Sequence, residues 1–232
     1  MKRILQSNSR KNLLLVFLLF SVQTFSQETL IKNGDTWSYF DQGYLNDNWY
    51  EGTDFSNWKL GVTPIGYGDR IVTTNIHFGK SKEDKDLVKY FIKRINIKNL
   101  SKFTGIEFKL QRDDGAVVYV NGKELYRDNM PEGNITSETK SLHVINTEEE
   151  KIFYKKVFDK SIFKEGLNTI AVGVHQYNPY SSDCIFSMEV VGHNDPNVLI
   201  EVVKNQIRNK NSLEAKIDEL NSCLLYTSPS PR

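Results

Sequence analysis

The chain has 232 residues, with 30 Lys and Arg against 29 Asp and Glu, and 39% of the residues are hydrophobic. A charge this close to balance leaves no basic surplus for nucleic acid or an anionic membrane surface. Its cysteines, Cys184 and Cys223, are too few for a disulfide-dense scaffold, and the length is sufficient for a hydrophobic core.

Residues 1–26 read as a secretory signal peptide. Lys2, Arg3, Arg10 and Lys11 form a positive start, Leu13 to Phe20 is unbroken apolar sequence, and Thr24 and Ser26 are small residues placed for cleavage before Gln27. The apolar run is short for a membrane span, the alternative being an N-terminal anchor. The expected product is secreted or held at the cell surface, with no membrane span after signal cleavage.

Residues 27–194 read as all-β. Lys89 to Lys98 is rich in β-formers. Gly105 to Arg112 alternates strictly, with Ile106, Phe108 and Leu110 on one face and Glu107, Lys109 and Gln111 on the other. Asp113-Asp114-Gly115 follows as a carboxylate-rich tight loop. Asn121-Gly122 is a strong hairpin signal, because both turn positions need positive φ, and it pairs Val118–Val120 with Lys123–Leu125. Ile152 to Asp159 is a further strand run. Gly166 to Tyr177 places Ile170, Val172 and Val174 on one side, and Cys184, Phe186, Met188 and Val190 line up in the same way. Each strand therefore buries one face and wets the other, which predicts an antiparallel two-sheet β-sandwich or jelly roll.

Residues 195–222 change character. Leu199, Val203, Leu213, Ile217 and Leu220 recur at helical spacing, Asp195 is a cap and Pro196 suits a first helical position. This helix reads as a linker, a coiled-coil stalk or the first helix of a further domain. Cys223 to Arg232 resembles the translation of a transposase-type sequencing-library adapter, the alternative being a disordered Ser/Pro tail. On that expectation the reading frame was interrupted near Ser222. Setting aside Lys2, Arg3, Arg10, Lys11 and Arg232 takes the formal charge from +1 to −4, and Cys184 has no disulfide partner.

With these pieces in place, residues 34–192 resemble the galactose-binding-like β-sandwich modules of exported proteins from Bacteroidetes-type bacteria. The matching pieces are Gly34 to Tyr39, Thr53 to Trp58, Ile65 to Asp69, Lys89 to Lys93, the RDDGAVVYVNG hairpin, Asn129-Met130-Pro131, Gly166 to Ala171, Val174-His175-Gln176 and Ser181-Ser182-Asp183. Such modules often accompany calcineurin-like metallophosphatases and other extracellular enzymes. The resemblance implies an accessory module, called carbohydrate-binding by fold analogy.

Three aspartates are candidate metal ligands. The resemblance implies a structural calcium, and hard cations favour clustered carboxylate oxygens; Asp113 and Asp114 would supply them, with Asp183 as a third. The bland alternative is that the Asp pair only holds its own turn through side-chain to backbone bonds. His175, Gln176, Tyr177 and Tyr180 are candidate ligand-binding residues, since aromatic faces beside hydrogen-bonding groups suit a sugar; the alternative is a loop packed by its own aromatics. Trp37, Trp49 and Trp58 invite the same comparison, with Trp58 expected in the sandwich core. Cys184 is expected to be a buried, inert thiol.

No nucleophile elbow, zinc-protease motif, phosphate loop or Cys-x-x-Cys occurs, and His77, His143, His175 and His193 show no ligand spacing. The expected function is a non-catalytic accessory module with a glycan as its partner. The alternative is a spacer or docking domain of a larger extracellular enzyme, such as a metallophosphatase, whose catalytic part would be encoded beyond Ser222 and would be the module's partner. A carboxylate-flanked groove with an exposed aromatic favours the first; an exposed apolar patch favours the second.

Overall fold

The alternating segments become strands in a computed structural model that describes residues 26–52 and 54–227. The signal-peptide segment up to residue 25 and the last residues of the adapter-like segment, 228–232, lie outside the described residues. Strands β1 (Gln27–Ile31), β2 (Thr36–Phe40), β3 (Lys59–Val62), β4 (Ile65–Tyr67) and β5 (Thr74–Asn75) come first. Then follow β6 (Val88–Ile97), β7 (Gly105–Arg112), β8 (Gly115–Val120) and β9 (Lys123–Asp128). A single turn of helix, α1 (Thr147–Glu150), precedes β10 (Tyr154–Asp159), β11 (Gly166–His175) and β12 (Cys184–His193), and α2 (Pro196–Thr227) closes the order.

Two six-stranded sheets form a sandwich. The first runs β10-β7-β12-β4-β5, with β1 also paired to β12; the second runs β3-β2-β6-β11-β8-β9. All pairings are antiparallel except β4 with β5. The inward side chains expected from the alternation (Ile106, Phe108, Leu110, Ile170, Val172, Val174, Phe186 and Met188) are all fully buried in one cluster between the sheets. Trp37 meets Phe186 edge-on at 4.9 Å, and Phe186 stacks on Phe91 at 4.1 Å. Each such side chain contributes about 1.5–3 kcal/mol through removal from water.

The outer faces differ. On that of the first sheet Glu107, Lys109 and Glu189 are partly exposed, but Gln111, Ile185, Ser187 and Val191 are buried, so the wet face expected from the alternation is only partly formed. The outer face of the second sheet is covered: Ile92, Val117, Tyr119, Met130 and Ala171 form another apolar cluster, packed against Trp49, Tyr50, Phe55 and Trp58. Tyr50 stacks on Tyr119 at 3.9 Å. Trp58 therefore lies outside the sandwich core, and Trp37 is the tryptophan within it. The physical reason is in β8, where every residue of Gly115–Val120 is buried; a strand apolar on both faces needs a second cover.

The hairpin forms with Asn121 at φ 51° and Gly122 at φ 78°. Val120 pairs with Lys123 and Tyr119 with Glu124, but Val118 then pairs with Tyr126. The expected pairing out to Leu125 is corrected by a bulge there. Leu125 and Tyr126 both pack against the main core, and an extra residue is what lets adjacent side chains do so.

Entry to and exit from the sandwich are adjacent. Gln27 pairs with His193, and Ser26 N donates to Asn194 Oδ1 at 2.6 Å. Asp195 Oδ1 accepts from Asn197 N at 2.8 Å and starts α2, which sets Val198 against Gly105 and buries Val202. The helix continues to Thr227, beyond the expected Ser222. Among the described residues, no helix is long and apolar enough to cross a membrane.

Candidate functional site

At the opposite end of β12, loops from both sheets converge on a cleft of about 430 Å³. The turn between β7 and β8 supplies Asp113 and Asp114, joined by a cis peptide. Both Asp114 oxygens are committed to backbone donors of neighbouring loops: Oδ1 accepts from Ile145 N at 2.9 Å and Oδ2 from Tyr177 N at 2.8 Å. Backbone carbonyls of the same turn accept from Gln176 Nε2 at 2.8 Å and Asn129 Nδ2 at 2.9 Å. Asp114 is thus a latch between loops. Asp113 is only 2% exposed, and its Oδ2 is buried without a hydrogen-bond partner.

Helix α1 supplies the next carboxylate. Asn146 accepts from Glu148 N and Glu149 N, each at 3.1 Å, while the Glu149 side chain accepts from Asn146 N at 3.1 Å. This reciprocal cap fixes which glutamate turns inward. Glu150 is buried, and Gln111 Nε2 holds its backbone carbonyl at 2.9 Å. Asp69 arrives on the turn after β4. Gly68, at φ +84°, passes so close to Ser182 and Asp183 that a Cβ there would lie 2.4 Å from the Ser182 carbonyl. Only glycine allows that approach, and it brings Asp69 to Asp183. Carboxylate oxygens of Asp69, Glu150 and Asp183 all lie within 4.8 Å of one another.

The electrostatics follow from this geometry. Burial first, then the charges of Asp114, Glu150 and Asp183, push the Asp113 carboxyl up to about 9. Burial, reinforced by Asp183, Asp69 and Asp114, pushes Glu150 up to about 7. Nearby basic side chains are engaged elsewhere: Lys151 pairs with Glu148 at 2.8 Å, and Arg112 with Asp128 at 2.8 Å.

The expected ligand-binding group is divided between the surface and the interior. Tyr180 lines the cleft and is 70% exposed; Tyr177 is 41% exposed but does not line it. His175 and Gln176 are buried, His175 on the covered outer face of the second sheet with Trp49, Tyr90 and Tyr119. His175 Nδ1 lies 2.7 Å from the Thr139 carbonyl, and burial lowers its pKa to about 4, so it is a neutral interior side chain. Gln176 supports the Asp113 turn. Cys184 is buried as expected, and burial raises its thiol pKa. Trp37, Trp49 and Trp58 do not line the cleft.

The three aspartates expected to ligate a metal, Asp113, Asp114 and Asp183, all line the cleft, and both oxygens of Asp114 are already held by backbone donors. Sequence reasoning missed Glu150 and Asp69. The Asn146-to-Glu149 capping spacing was a usable signal for Glu150, because it sets the helix phase; Asp69 joins only through the three-dimensional approach at Gly68. The cleft offers hard oxygen donors and an aromatic rim, chemistry suited to cations and hydroxyl-rich ligands.

No family model and no curated protein matches the chain. Solved structures do. A Bacteroides uniformis β-glucuronidase is 14% identical with a TM-score of 0.48, covering 73% of this chain and 18% of its own. A Bifidobacterium dentium β-glucuronidase complexed with coumarin-3-O-glucuronide is 16% identical with a TM-score of 0.43, covering 67% and 21%. A Ruminococcus gnavus β-glucuronidase is 12% identical with a TM-score of 0.45, covering 73% and 29%. The chain spans less than a third of the length of each of these proteins.

Proposed function

We propose that this chain is an exported, non-catalytic accessory module that binds a glycan at the loop-end cleft. The observation that carries this reading is the cleft itself, which sets Tyr180, 70% exposed, beside a wall of carboxylates. Stacking on the apolar face of a sugar and accepting bonds from its hydroxyls need those two elements together. The catalytic part of any larger enzyme would be a separate unit.

Affinity electrophoresis of the 232-residue chain through gels containing soluble polysaccharides tests the proposal. Retardation by at least one polysaccharide is expected, with Tyr180→Ala losing it while melting as the parent does. A chain retarded by none would favour the docking role, which Leu60 and Val62, exposed on edge strand β3, support. Turnover of a glycoside or phosphoester by the purified chain would overturn the non-catalytic assignment.

A further inference from the structure

We infer that a second pocket, between the loops that follow β2 and β5, binds a sugar unit carrying an acidic group, a carboxylate or a sulfate ester. This pocket has a volume of about 470 Å³ and shares no lining residue with the carboxylate cleft. Its chemistry is the reverse of the cleft's. Gln42, Lys59 and Lys80 bring hydrogen-bond donors to the lining, two of them charged. His77 adds a ring donor: its Nδ1 accepts from Gly79 N at 3.3 Å, so the neutral ring carries its proton on Nε2. The lining holds one carboxylate, that of Asp86. Asp86 Oδ2 accepts from Lys89 Nζ at 2.7 Å and both residues are buried, so that charge is balanced within the protein.

The pocket is held in shape by groups around it. Asp41, 2% exposed, joins its two sides: Oδ1 accepts from Lys59 Nζ at 2.8 Å and Oδ2 from His77 N at 2.8 Å. That bond orients the Lys59 ammonium and leaves it two further donors. Gly79, at φ +136°, passes so close to Asp86 that a Cβ would lie 2.6 Å from Asp86 N, which donates to the Phe78 carbonyl at 2.9 Å. This tight turn sets Lys80 beside His77, whose ring is stacked on Phe78 at 5.6 Å. Tyr44 is 51% exposed, with its hydroxyl 3.5 Å from Leu87 N. An exposed aromatic ring suits the C–H face of a sugar, and bonds from an ammonium to an anion are about twice as strong as neutral ones. A small free anion would use the lysines and leave Tyr44 without a role; a neutral sugar would use Tyr44 and leave the charge without one. An acidic sugar engages both.

The inference does not depend on glycan binding at Tyr180. The test titrates the 232-residue chain by calorimetry with a short oligogalacturonate and a sulfated carrageenan oligosaccharide. A neutral galactan oligosaccharide, sodium acetate and sodium sulfate serve for comparison. Saturable binding of one or both acidic oligosaccharides is expected, about tenfold or more tighter than the neutral one and weaker as salt rises. The stronger of the two tells carboxylate from sulfate ester. Lys80→Ala and Tyr44→Ala should each weaken binding about tenfold while melting as the parent does. Lys82→Ala, on the same turn but outside the pocket, should bind as the parent does, and so should Tyr180→Ala. No binding of either acidic oligosaccharide, or equal weakening in Lys82→Ala, would overturn the site. Acetate or sulfate binding as tightly as the oligosaccharides would overturn the sugar assignment, and equal binding of the neutral oligosaccharide would overturn the acidic one. Loss in Tyr180→Ala with Lys80→Ala unchanged would move the ligand to the cleft, overturning this site and leaving the glycan reading standing.

Discussion

Charge accumulates in two places on this molecule, and the two are built differently. On the outer face of the first sheet, Lys109 sits 3.2 Å from Glu189 and 3.8 Å from Glu107, and Glu107 also meets His193 at 3.4 Å. Both signs alternate across neighbouring strands, and Lys109, Glu107 and Glu189 are each paired while remaining partly exposed. At the loop-end cleft the carboxyls of Asp69, Asp113, Glu150 and Asp183 gather instead, and the two buried ones, Asp113 and Glu150, are pushed towards their protonated forms. Ions of opposite sign on a sheet stabilise one another, whereas carboxyls gathered out of water resist ionisation and cost stability once they are ionised. The contrast distinguishes a surface from a site.

The largest expected effect that separates these places is pH dependence in the presence of a chelator. Asp113 and Glu150 have folded-state pKa values of about 9 and about 7, above the ordinary carboxylate range. The folded chain therefore holds protons that the unfolded chain releases. The contribution of these two groups to stability is full below about pH 4 and is lost as pH rises through about 7 and then about 9. Thermal melts across that range should show the decline, and Glu150→Gln should remove the portion that falls between pH 4.5 and about 7. A flat profile would place the cleft carboxylates in the same class as the sheet ladder.

The latch comes next. Asp114→Ala leaves the Ile145 and Tyr177 N–H groups without acceptors, and urea unfolding should register a loss of about 3 kcal/mol. The hairpin at the other end of β8 provides a control remote from the cleft. Gly122→Val forces a β-branched residue to φ near 78°, for a loss of about 1–2 kcal/mol, with ligand behaviour unchanged. Smallest of all, Lys109→Ala on the charged face should cost no more than about 0.5 kcal/mol in the same measurement.

Strands that alternate were legible in the sequence, because period-2 patterning in β7, β11 and β12 follows directly from burial of one face. The hairpin turn was legible because Asn-Gly carries its own backbone requirement. The Leu125 bulge was not: it comes from the core demanding both Leu125 and Tyr126. Nor was the Trp49-to-Trp58 cover, although the unbroken apolar run of β8 hinted at burial on both faces. At the cleft, Asp113 and Asp183 could be picked out by type and loop position. Glu150 lay hidden in a run of three glutamates that looks like a solvated surface, and only the helix phase singles it out. His175 drew attention through its chemistry, yet its position near the end of a buried strand puts it inside.

The adjacency of Ser26 and Asn194 sets how this sandwich can be presented. Strand β12 has ten residues from Cys184 to His193, roughly 33 Å, with the chain's way in and way out at one end and the cleft at the other. A unit connected in this manner can be spliced into a surface loop of a larger polypeptide with little disturbance to its host. An attachment through either chain end of the sandwich would leave the carboxylate-lined mouth at the far end.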